Sequence, residues 1–133
     1  MRPLGAWLTA ATVASGLALV SIGPALAQQA PAVAFTAGQA SRGQDLYADH
    51  CALCHGPHLN DGEFGPSLKG ARFARRWGAL PAAALYAYVS RAMPPGQVGV
   101  LGAEDYDDIL AYIYQANGAA PGDQPLVAEP ASE

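Results

Sequence analysis

Cys51-Ala52-Leu53-Cys54-His55 is the stretch on which the fold of this chain turns. Two thiols three positions apart, followed at once by an imidazole, form the C-x-x-C-H pattern through which haem is tethered covalently. At that spacing both sulfurs reach the vinyl groups along one edge of a single macrocycle. The adjacent histidine then lies beneath the ring with its imidazole directed at iron. Two other chemistries use paired cysteines. A redox-active dithiol wants a βαβ setting and a helix N-terminus at its first cysteine, and neither is legible here. Zinc wants a second pair of ligands; His50 and His58 are at hand, but nothing in the sequence organises them. A disulfide between Cys51 and Cys54 would close almost no loop and stabilise little.

The rest of the composition makes the same demand. The chain has 133 residues, 51% of them hydrophobic, with two cysteines and a formal net charge of -4. Much of that apolar content is alanine and an N-terminal run, which leaves a thin core for one small domain. A domain of this size usually needs a staple, and a tethered haem is a large apolar body for short helices to pack around. The mild acidity, with no dense basic stripe, argues against nucleic acid as a partner.

The N-terminal run reads as an export signal. Arg2 supplies a positive start, Ala6 to Ile22 is almost wholly apolar or small, and Ala25-Leu26-Ala27 fits the small-x-small rule for cleavage before Gln28. A periplasmic location is expected, with membrane attachment only if the segment stays uncleaved, since its apolar run is near the lower length limit for a span. Without Arg2, six basic and eleven acidic residues remain, a net charge of -5.

Residues 28–39 read as a flexible lead-in, 40–118 as the folded domain, and 119–133, rich in Ala, Pro, Gly and Glu, as a disordered tail. Three helices are expected within the domain. The first runs from about Ala40 to His50, with Gly43 and Tyr47 one turn apart on one face. The second starts near Pro81 and ends near Arg91, with Leu85 and Val89 on one stripe. The third spans about Glu104 to Ala116; its Tyr106, Ile109, Leu110 and Ile113 follow the i, i+3, i+4, i+7 rule, and Asn117-Gly118 stops it. No stretch alternates as a strand would, and Gly56 to Gly78 reads as loop. The fold class is all-α: three main helices and loops wrapped around one haem.

Cleavage of the signal would leave Met93 as the only methionine. Lone methionines are usually core fillers, but Met93 ends the second helix and enters Pro94-Pro95-Gly96, a stiff turn that fixes the direction of its side chain. It lies far enough past His55 for the chain to wrap round the haem edge to the other face. His58, three residues from His55, falls on the same face and cannot do this. Met93 is therefore the candidate sixth ligand, against an open or water-bound position. A His/Met pair favours reduced iron and a raised potential.

With these residues in place, the sequence resembles a class I c-type cytochrome, of the short bacterial monohaem kind that also forms the haem domain of quinoprotein dehydrogenases. The resemblance runs from about Ala40 to Gly118. It is carried by Gly43 and Tyr47, the attachment motif, Gly65-Pro66-Ser67-Leu68-Lys69-Gly70, Trp77, Met93-Pro94 and Ile109-Leu110-Ala111-Tyr112-Ile113. It implies the cytochrome c fold, with first and last helices crossing at Gly43 and Tyr47. It also implies a Pro66 carbonyl that receives the His55 ring N–H and orients the proximal ligand. Where relatives open the last helix with Ser or Thr, this chain has Gly102-Ala103, a weaker start.

Five basic residues, Lys69, Arg72, Arg75, Arg76 and Arg91, precede the Met93 turn, while acids gather in the last helix. That split gives a dipole suited to steering an encounter. Arg75 or Arg76, with Trp77, is expected to neutralise haem propionates. The function implied is single-electron transfer, Fe(III)/Fe(II), by one haem c, as a shuttle or a dehydrogenase subunit. The partners expected are a periplasmic dehydrogenase, a cytochrome complex or a terminal oxidase. No catalytic acid or base is required, so the chain is read as a carrier rather than an enzyme. The competing class is a haem enzyme or gas sensor with a displaceable sixth ligand.

Overall fold

The computed structural model describes residues 32–128, and the expected export segment lies outside them. Five helices follow one another: α1 (Ala37–His50), α2 (Ala52–His55), α3 (Ala71–Trp77), α4 (Ala82–Ala92) and α5 (Ala103–Ala116). Among the described residues there is no strand. No helix there is long and apolar enough to cross a membrane.

The first helix starts three residues earlier than the apolar pattern suggests, because a capping box sets its start. The Thr36 hydroxyl accepts the Gln39 N–H (3.2 Å), and Gln39 Oε1 accepts the Thr36 N–H (3.2 Å). The last helix is better opened than Gly102-Ala103 implies, since Asp105 Oδ2 receives the Gly102 N–H at 2.9 Å. The weak start is thus offset by a side chain reaching back from the third helical position.

The frame of the molecule is the crossing of α1 and α5. Gly43 lies against the α5 backbone so closely that a Cβ there would run into the Asp108 carbonyl and the Ile109 amide. On one side of this contact, Tyr47 meets Tyr112 with ring centroids 5.4 Å apart. On the other, Arg42 Nε and Nη2 reach the Asp108 carboxylate at 2.6 and 2.8 Å. That carboxylate and its hydrogen bond hold the Arg42 guanidinium even further on the charged side than usual. The Tyr47 phenol, pushed up strongly by burial, donates to the Gly56 carbonyl at 2.6 Å and ties α1 to the chain beyond the motif.

Both flanks of the domain depart from the sequence reading. The lead-in is not loose throughout: Phe35 is fully buried. The tail expected to be disordered from residue 119 onward is packed as far as Ala128. The Gly122 N–H donates to the Phe35 carbonyl (2.8 Å), and the Ala128 N–H to Asp107 Oδ1 (3.0 Å). Gln39 pairs with Leu126 in both directions, receiving its N–H at 2.7 Å and donating to its carbonyl at 3.0 Å. Leu126 is buried. Composition misjudged this segment because polar groups on α1 and α5 hold its backbone, with only single apolar residues as anchors.

Gln39→Ala removes two buried hydrogen bonds to Leu126 and half of the capping box at once. Stranding a buried backbone group costs about 1–3 kcal/mol, so a loss of about 2–3 kcal/mol is expected in denaturant unfolding. Protease cleavage should appear between residues 119 and 128. A variant with unchanged stability and an uncut tail would contradict this role.

Candidate haem site

The residues after the motif fold back to enclose its histidine. The Gly65 N–H donates to the Cys54 carbonyl (2.8 Å), and the Leu68 N–H to the Leu59 carbonyl (2.6 Å). This return lays Gly65 flat against the His55 ring; a Cβ there would come within 2.6 Å of Nδ1. Only glycine leaves space for the imidazole. The next residue supplies the orienting contact, as His55 Nδ1 lies 2.8 Å from the Pro66 carbonyl. A carbonyl can only accept, so Nδ1 carries the proton and Nε2 is left free for a metal. Asn117, at the end of α5, braces the same loop, donating to the Leu68 carbonyl (2.9 Å) and accepting from the Gly70 N–H (2.9 Å).

His55 opens onto a cavity of about 530 Å³, within the range of small-molecule and cofactor sites. Cys51, Cys54 and Met93 line it together with His55, so the residues singled out for covalent attachment and for both axial positions share one space. The walls are apolar: Leu68, Phe73, Leu85, Val89, Ile109 and Ile113 come from the loop and from three helices. A macrocycle with thioether attachment and two axial ligands fits this donor set and this lining. Leu53 and Phe64 stand at the rim, 87% and 78% exposed.

The polar part of the rim corrects one expectation. Arg76 and Trp77 line the cavity, whereas Arg75 does not; Arg72, one turn before Arg76, does. Arg72, Phe73, Arg76 and Trp77 together mark the side of α3 that faces the cavity, and position 75 falls on the opposite side of the helix. The Arg76 guanidinium is set over the rings of Trp77 (5.1 Å) and Tyr88 (5.4 Å), which fixes its charge in place. The sequence showed α3 only as loop, and so the pairing of Arg72 with Arg76 was missed.

The rival readings find little in this geometry. Burial, and then the neighbouring Cys54, push the Cys51 thiol up to about 11, the opposite of what a reactive redox pair requires. Among the described residues no three His, Cys, Asp or Glu side chains are grouped to hold a metal ion. His58 is exposed and paired with Asp61 at 2.7 Å, which holds that carboxyl below its usual range.

Comparison with known proteins adds a family. The family described as cytochrome C oxidase, cbb3-type, subunit III matches residues 38–113, from the first helix to the last. No curated protein and no solved structure matches significantly. The matched span contains the motif, the Pro66 loop, Met93 and the α1–α5 crossing, and covers more than half of the sequence. The chain belongs to this family and is a class I c-type cytochrome, a haem-based electron-transfer protein.

Proposed function

We propose that this protein is an exported, periplasmic monohaem carrier. In this reading Cys51 and Cys54 hold one haem c, and His55 and Met93 are its axial ligands. It passes single electrons from a dehydrogenase or cytochrome complex to an oxidase, as a shuttle or as a dehydrogenase subunit. The observation that carries the reading is the Pro66 carbonyl on His55 Nδ1, in a cavity that Met93 and both thiols also line. The group would supply an iron that cycles between Fe(III) and Fe(II).

The chain's own residues do the rest. Pro66 and Gly65 hold the imidazole in one tautomer and one orientation, which keeps the coordination sphere alike in both oxidation states. The apolar walls exclude water and favour the less charged, reduced form. Arg72 and Arg76 offset propionate charge at the rim. Leu53 and Phe64 leave an apolar, open edge where a partner can approach. The family takes its description from an oxidase subunit, which supports a terminal oxidase as acceptor.

An optical and redox titration of protein matured in an exporting host tests this reading. The expected result is a c-type spectrum, a methionine–iron charge-transfer band in the oxidised form, and a single one-electron wave. Protein recovered without covalent haem, or a reduced form that binds carbon monoxide rapidly, would overturn it.

A further inference from the structure

We propose that Tyr106 is a positioning residue for the sixth ligand, its hydroxyl fastening the main chain of Met93 to the last helix. The proposal rests on the reading of Met93 as a ligand. The Tyr106 hydroxyl donates to the Met93 carbonyl at 2.7 Å. The ring is buried and is fixed edge-on against Tyr86 of α4, with centroids 6.1 Å apart and planes at 79°. The hydroxyl therefore holds the start of the exposed turn that follows Met93.

That turn needs an outside hold. Pro95 to Val100 is exposed throughout. The bonds from Gln97 N–H to the Pro94 carbonyl (3.0 Å) and from Val100 N–H to the Gln97 carbonyl (3.1 Å) run within it and do not tie it to the body. At its start, the Met93 N–H ends α4 on the Val89 carbonyl (2.9 Å). The Tyr106 bond joins the other side of the same residue to α5, so Met93 is held between two helices. The ring also borders both the haem cavity and a shallower groove of about 350 Å³ beside Ser90 and Arg91. It forms part of the wall between the two.

Tyr106→Phe keeps the ring and its contact with Tyr86 but frees the Met93 carbonyl. One hydrogen bond shifts an equilibrium by about two- to tenfold. In the reduced holoprotein the observed rate of carbon monoxide binding should rise by about that factor, because the bond between methionine and iron opens more often. The charge-transfer band of the oxidised form should vanish at lower temperature than in the wild type. Tyr114→Phe is the control: it removes from the same helix a buried hydroxyl that has no hydrogen-bond partner among the described residues, and should leave both readouts at wild-type values. Wild-type carbon monoxide kinetics and band stability in Tyr106→Phe, with the band present in the parent, would overturn the inference alone. A parent that lacks the band would overturn the Met93 reading and this inference with it.

Discussion

Met93→Ala will abolish the methionine–iron charge-transfer band and convert a protein that resists carbon monoxide into one that binds it stoichiometrically. The thioether is a weak, polarisable ligand that favours the reduced iron, so its loss also lowers the reduction potential. The fold should survive. The α4 helix ends on the Met93 N–H, which bonds to the Val89 carbonyl, and the Tyr106 hydroxyl reaches the Met93 carbonyl. Neither bond uses the side chain. Met93 is only half-buried, so trimming it to alanine should fall at or below the lower end of the roughly 2–5 kcal/mol found for buried methionines. The measurements are absorbance with and without carbon monoxide, and a potentiometric titration. Retention of the band would show that another group ligates the iron.

Substitution at Gly43 is expected to have the largest effect on stability. A Cβ at this position falls inside the contact with the Asp108 carbonyl. Alanine therefore already forces α1 and α5 apart, and leucine does so more severely. Separation would also pull Arg42 from Asp108 and Tyr47 from Tyr112. Overpacking typically costs about 1–3 kcal/mol. A contact against rigid backbone belongs at or above the top of that range for Gly43→Leu. At about 4–8 °C per kcal/mol for a domain of this size, the holoprotein should melt more than about 10 °C below wild type, with Gly43→Ala between the two. Equal melting temperatures for all three would refute the crossing.

Much of the site could be read from the chain because its chemistry is local. The attachment motif is contiguous, Met93 is singular once the N-terminal segment is discounted, and α4 and α5 are long enough for their apolar spacing to show. What escaped has physical reasons. The third helix has seven residues and only Phe73 buried, too few turns for a periodicity to declare itself, and its arginines gave no clue to which side would face the cavity. The clasp between Tyr106 and Met93 joins positions that a pattern of core residues treats as unrelated, since a tyrosine on an apolar stripe reads simply as core. The Thr36-x-x-Gln39 box, by contrast, was present in the sequence. Its signal is faint because a capping box is made of polar groups and adds nothing to an apolar periodicity.

The meeting of Phe35 with Gly122 has a consequence for how this domain can be joined to other things. With the Gly122 N–H on the Phe35 carbonyl at 2.8 Å, the segments that precede α1 and follow α5 run side by side, and Leu126 continues along Gln39. None of Phe35, Gln39, Gly122 or Leu126 lines the haem cavity. A neighbour joined through the segment before α1 would therefore meet the domain on the side where the segment after α5 also lies. Holding the domain there leaves the residues that line the haem cavity untouched.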